Sequence, residues 1–224
     1  MPTTLTLSRQ AINEAILAFE VSWSKAAGFA VYNQKYSRPV VPLPKTTDSG
    51  VTVGMGYDCG HMSAATIRKD WSSVIPMRMV NLLAGVAGFK KQRAVDSLPG
   101  LREVVIPAEA ALQVFYNNTI YKFSKQAYSI YPNLPNIHPV EQSVIVGLVY
   151  NRGMGLDGDR RKEMRQLVTD IKNDNDADMA ATIRRMSRLW PDVLGLRRRR
   201  ELEAALVELP DGPIPDEDKL FITF

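Results

Sequence analysis

The stretch from Asp48 to His61 constrains this chain more than any other. It reads Asp-Ser-Gly-Val-Thr-Val-Gly-Met-Gly-Tyr-Asp-Cys-Gly-His, with glycines at 50, 54, 56 and 60. Val51, Val53, Met55 and Tyr57 are apolar at every second position. That period predicts a short strand pair, with glycine where the backbone turns or where another group comes close. Asp48 and Asp58 bracket the pair, and the hydroxyl of Thr52 lies between them. A β-branched hydroxyl in such a hairpin can hold a water in place. Asp is also a common turn former, so on these residues alone a purely structural hairpin remains open.

The rest of the chain reads as helices. Ser8 is an N-cap candidate, and Ile12, Ala15, Ile16, Phe19 and Trp23 follow a three-four spacing that gives one apolar face. Glu20 lies beside that face. A carboxylate at the edge of a core is partly desolvated and keeps a proton available, as a general acid requires; the alternative is an ordinary surface glutamate. Residues 32–47 are expected to be irregular, because Pro39, Pro42 and Pro44 interrupt them. Ser63 is read as the cap of a helix over 64–71, and further helices are expected over 77–88, from Pro107 onward, 140–150, 162–172, 176–188 and 197–207. Lys90, Lys91 and Arg93 read as a solvated basic face. Tyr150 and Asn151 place a ring and an amide at one helix end, where Asn serves either as a C-cap or as a reader of an N-acetyl group. The run Arg197 to Arg200 invites a nucleic-acid reading, but successive helical side chains point in different directions, which favours arginines paired with acids inside the domain.

Composition sets outer limits. The 224 residues are 45% apolar, enough for a sizeable core, and the net charge of +4 suits an anionic polymer such as cell wall or nucleic acid. With one cysteine, Cys59, no internal disulfide forms, and two histidines are too few for a His-based zinc cage. Asp157 and Asp159 flank Gly158 as in a calcium loop, but the twelve-residue pattern and its closing Glu are missing. No metal or organic cofactor is expected. Residues 1–10 lack a secretory signal pattern, and no apolar run is long enough to span a bilayer.

A Glu at the end of a first helix, followed by a glycine-rich hairpin with Thr and Asp, resembles the phage-type lysozymes. The run Ser49-Gly-Val-Thr-Val-Gly-Met-Gly-Tyr-Asp-Cys-Gly60 is more similar still to the pesticin-like muramidases. Glu141-Gln-Ser-Val-Ile-Val-Gly-Leu-Val-Tyr-Asn-Arg-Gly153 is similar to that group's buried helix, which ends in an amide residue beside the sugar groove. Trp190-Pro-Asp-Val-Leu-Gly-Leu-Arg-Arg-Arg-Arg-Glu201 is similar to its late Trp and Arg-rich helix with a following Glu. The resemblance implies a mainly helical α+β fold of the lysozyme-like type: a hairpin lobe over about 20–62, a larger helical lobe over about 63–209 and a tail over 210–224 that docks back, all within one catalytic domain and with a glycan groove between the lobes.

It also implies a muramidase, a glycoside hydrolase that cuts the β-1,4 bond between N-acetylmuramic acid and N-acetylglucosamine. Glu20 would protonate the leaving oxygen, Thr52 would help hold the water, and Tyr150 and Asn151 would face the sugar. The phage order puts the second carboxylate before Thr52, at Asp48; the pesticin-like order puts it after, at Asp58, and the closer match favours Asp58. A water between the two carboxylates would give inversion at a separation of roughly 6.5–9.5 Å. The expected partners are peptidoglycan strands and a cognate immunity or inhibitor protein, with no nucleic acid and no membrane insertion, for a monomer. The expected setting is a phage endolysin or an antibacterial toxin, made in the cytoplasm and exported by a holin or a secretion system. A lytic transglycosylase or chitosanase, or a non-catalytic binder of wall or nucleic acid, is the alternative.

Overall fold

The computed structural model describes residues 2–45, 47–209 and 212–224, so Met1, Thr46 and the first two residues of the expected tail, Pro210 and Asp211, lie outside it. The described chain is mainly helical, with four short strands: β1 (Thr4–Ser8), β2 (Thr52–Val53), β3 (Tyr57–Asp58) and β4 (Lys219–Thr223). They form two antiparallel pairs, β1 with β4 and β2 with β3. The mainly helical α+β class expected from the sequence is present. No described helix is long and apolar enough to cross a membrane. The chain divides into two compact units, residues 1–19 with 121–224, and residues 20–120.

The first of these units is built on the helix Pro139–Arg152. Ile145, Val146 and Leu148 along it are fully buried. At Gly147 an added Cβ would meet Ile16 Cγ1 at 3.3 Å, so glycine lets the first helical run lie close. The polar residues that open this helix have a second task. Gln142 Oε1 accepts from the Thr6 N–H at 3.0 Å and Ser143 Oγ from the Ser8 N–H at 2.8 Å, so they occupy one edge of β1 while β4 pairs with the other. That satisfies backbone groups a lone edge strand would leave open. No strand signal marks β1, because its partner lies far along the chain: Thr4 pairs with Thr223 and Ser8 with Lys219. The apolar tail therefore docks as β4, and the ring of Phe224 packs against Tyr121 and Tyr128.

Ser8 does cap the first helical run, accepting from the Ala11 N–H at 3.0 Å. The run then passes through a π-helical turn, Asn13–Leu17, before the short helix Ala18–Glu20. A π turn spends one extra residue per turn and so rotates everything after it. Phe19, expected on the buried face, is 37% exposed as a result. Trp23 lies beyond the helix end, where Ser22 turns the chain with φ of 56°. A second π turn, Phe115–Ile120, interrupts the long helical run that begins at Ala108.

In the unit of residues 20–120, the helix Ala64–Trp71 starts on its expected cap, with Ser63 Oγ accepting from the Thr66 N–H. The helix Ala30–Lys35 runs into the stretch from residue 32 that was expected to be irregular, and the helix Lys91–Ser97 carries two members of the basic cluster, for which no element was expected. The buried Tyr32 hydroxyl donates to the Ile106 carbonyl at 3.0 Å, which joins the first of these to the chain before the long helix. The hairpin shares its unit with everything through Ile120, well past the expected lobe end near residue 62. The reason is packing at the hairpin tip: a Cβ at Gly54 would lie 3.1 Å from Ala111 Cβ and 3.2 Å from the Trp71 ring.

Candidate functional site

The hairpin belongs to the unit of residues 20–120. β2 and β3 are joined by Gly54, Met55 and Gly56, and both glycines have positive φ, 61° and 83°, which favours glycine there. Thr52 stands directly opposite Asp58, and Val53 opposite Tyr57. Residues opposite one another in an antiparallel pair share a face. One face is therefore apolar and buried, with Val53 at 1% and Tyr57 at 5% exposure. The other carries Thr52 and Asp58, both half-buried. Beyond β2, Val40 adds a bridge, donating to the Thr52 carbonyl at 3.0 Å and accepting from the Thr52 N–H at 2.7 Å. On the buried face the Tyr57 ring meets Trp71 edge-on at 5.4 Å and its hydroxyl donates to Asp70 at 2.8 Å; burial, then Asp70, holds that phenol above its usual range.

Asp58 is the cap of the turn Cys59–His61. Its Oδ1 accepts from the Gly60 N–H at 2.8 Å and the Gly50 N–H at 3.0 Å, and its Oδ2 takes a longer bond from Gly50 at 3.2 Å. His61 Nε2 lies 3.8 Å from Oδ2. The two glycines that donate are stacked backbone on backbone. A Cβ on Gly50 would come within 2.4 Å of the Phe89 carbonyl oxygen and 2.5 Å of Gly60 Cα, so no side chain fits at this crossing. Asp58 is thereby fixed by backbone rather than by side chains, with 21% of its side chain left to solvent. Its neighbour Cys59 is buried, and burial pushes its thiol up to about 12, so it stays protonated and inert.

Asp48 has a different setting. Its carboxylate pairs with Lys90 at 2.8 Å and Lys91 at 3.7 Å and is 60% exposed. The Lys90 hydrogen bond and charge hold it below the usual carboxylate range, with Lys91 adding to the effect. Lys90 and Lys91, read as part of a solvated face, are thus ion-paired. Arg93 stacks 3.7 Å over the Phe89 ring. Glu20 is the last residue of the helix Ala18–Glu20 and is half-buried.

Tyr150 and Asn151 belong to the other unit, in the last turn of the helix Pro139–Arg152. The C-cap there is Gly153, with φ of 72°, so Asn151 is free of that task. Its Oδ1 instead accepts from Arg200 Nη2 at 3.3 Å, and the Tyr150 ring packs edge-on against Phe123 at 5.0 Å. The arginine run divides in two. Arg197 and Arg198 are exposed, whereas Arg199 and Arg200 are 2% and 0% exposed and share the fully buried Glu203. Glu201, the acid singled out in the sequence, pairs with Arg184 at 3.1 Å. The signal for Glu203 was its spacing, four residues after Arg199 and three after Arg200, which puts all three on one helix face. The structure thus brings Thr52 and Asp58 together on one hairpin face, and places Tyr150 and Asn151 side by side at one helix end. The chain matches no family model and no curated protein.

Proposed function

We propose that this chain is a lysozyme-like peptidoglycan hydrolase, a muramidase acting by acid/base chemistry on the bond between N-acetylmuramic acid and N-acetylglucosamine. The observation that carries the reading is the register of the hairpin, which sets Thr52 opposite Asp58 on its half-exposed face. The backbone donors of Gly50 and Gly60 fix one side of the carboxylate and leave its remaining lone pairs to orient a water with the Thr52 hydroxyl. An anion held this way also steadies positive charge developing at a sugar carbon. Glu20 supplies the proton to the leaving oxygen. Asp48, held by two ammonium groups, is the weaker choice for the second carboxylate. Taken by itself, the unit of residues 1–19 with 121–224 offers Tyr150 and Asn151 as a pair that would contact a sugar. As a wall-cutting enzyme it would work outside the cytoplasm, delivered as an endolysin or an exported toxin and restrained by a cognate inhibitor.

The three backbone bonds on Asp58 favour one second reading, a lytic transglycosylase in which Glu20 works alone and Asp58 only shapes the hairpin. Mass spectrometry of purified peptidoglycan after digestion separates the two. Reducing ends support the hydrolase, anhydro ends the transglycosylase, and an undigested wall refutes both.

A further inference from the structure

The cavity beside the end of the helix Pro139–Arg152 carries an unbalanced charge. It measures about 380 Å³ and is lined by Asn151, Arg152, Asp157, Arg160, Arg161 and Trp190. Among the described residues, no carboxylate oxygen lies within the 4 Å of an ion pair from Arg152, Arg160 or Arg161, whereas Glu203 is already shared by Arg199 and Arg200 and Glu163 is held by Arg188. Arg152 is the unusual member, because it is only 8% exposed. Its Nη2 donates to the Arg160 carbonyl and its guanidinium lies 5.1 Å from the Trp190 ring centre, but its buried Nε–H has no acceptor. Burial, then the charges of Arg161 and Arg200, pull its pKa down to about 10. Buried cations are ordinarily paired, and several arginines round one cavity with no carboxylate in an ion pair with them call for an anion from outside.

We propose that this cavity binds a ligand through a carboxylate. Arg152 and Arg161 supply the charge and the planar donors that suit a carboxylate. Asn151 has its Oδ1 engaged by Arg200, so what its amide has left to offer is N–H donors. Trp190 gives the ligand an apolar wall. Asp157 lines the same cavity and repels a second negative charge, which favours a singly charged carboxylate over a phosphate. The inference rests on the charges round this cavity and stands apart from the reading of the hairpin.

Isothermal titration of the full chain at low salt tests it, with three probes: acetyl-alanyl-alanine with a free carboxylate, its C-terminal amide, and inorganic phosphate. The acid is expected to bind at least about tenfold more tightly than the amide and more tightly than phosphate, and Arg161→Gln and Arg152→Lys should each weaken the acid by about tenfold or more. Arg161 is only half-buried, so Arg161→Gln reports on the site even where Arg152→Lys fails to fold. No heat from the acid at millimolar concentration, equal binding of acid and amide, tighter binding of phosphate, or a folded Arg161→Gln protein that binds as before would overturn the proposal. Wall digestion measured in the same preparations keeps the outcome separate from that of the muramidase reading.

Discussion

Replacing Asp58 separates the structural and chemical tasks of the hairpin. Its carboxylate accepts from two backbone N–H groups, those of Gly50 and Gly60, and both glycines are buried. In Asp58→Ala both donors lose their partner. A buried donor left unsatisfied costs about 1–3 kcal/mol, and the 21% exposure of the site lets water recover part of it. The expected loss is about 2–4 kcal/mol, and for a chain of this length a Tm lower by roughly 5–15 °C. Asp58→Asn keeps an acceptor oxygen in the Oδ1 position and loses only the charge, so it should cost about 1 kcal/mol and roughly 2–4 °C. The same Asn protein should lose at least about 100-fold in initial rate on purified peptidoglycan, because a neutral amide neither activates water nor steadies an oxocarbenium-like centre. Melting curves followed by circular dichroism and rates taken on one preparation make the comparison. An Asp58→Ala protein that melts with the wild type refutes the cap argument. An Asp58→Asn protein that cuts at the normal rate refutes the assignment of the second carboxylate, and an inactive, well-folded Asp48→Asn beside it moves the role to Asp48.

Glu20→Gln should abolish wall digestion, by about 10²–10⁴-fold, with an unchanged melting curve, since the amide keeps the shape but has no proton to give; full activity on purified peptidoglycan rules Glu20 out. Arg200→Met should lower stability by about 1–3 kcal/mol in urea unfolding, because it leaves the buried Glu203 with only Arg199 of its two arginine partners, whereas the exposed Arg198→Ala should stay within about 0.5 kcal/mol. Tight, salt-sensitive DNA binding lost in the Arg198 variant would instead favour a nucleic-acid role for the exposed arginines. The Asp48 pair should shape the acid limb of stability. A carboxylate whose folded pKa lies below its unfolded value of about 3.9 stabilises above that value, and the contribution disappears as pH falls through the folded pKa. Asp48→Asn should therefore be less stable than the wild type at neutral pH and converge with it at the acid end; a gap that persists at the lowest pH counts against the ion pair.

What could be read from the sequence was local, and what could not was set by distant partners. Ser8 and Ser63 announce their helices because a cap bonds within three residues. The alternation from Val51 to Tyr57 gives the hairpin and its two faces for the same reason. The pairing of β1 with β4 has no local signature, since each strand's partner is at the opposite end of the chain. The π turn at Asn13–Leu17 is equally silent, and Phe19 two residues after it is exposed. Asp58 shows the intermediate case. The Asp-X-Gly signal of an Asx turn occurs twice, at Asp48-Ser49-Gly50 and at Asp58-Cys59-Gly60, and only the folded backbone gives the cap to Asp58. The cavity arginines gave no pattern at all, because Arg152, Arg161 and Trp190 converge only once the helices are packed.

The pairing of the chain's two ends has a practical consequence for engineering. Thr3 and Phe224 exchange both backbone hydrogen bonds at 3.1 Å, so the two ends of the fold are separated by one strand spacing. A short Gly/Ser bridge could close them into a ring, and new termini opened at an exposed loop tip would then give a circular permutant with its packing unchanged. Equally, the fold could be spliced into a surface loop of a host protein, because its entry and exit points coincide and neither protein would have to stretch.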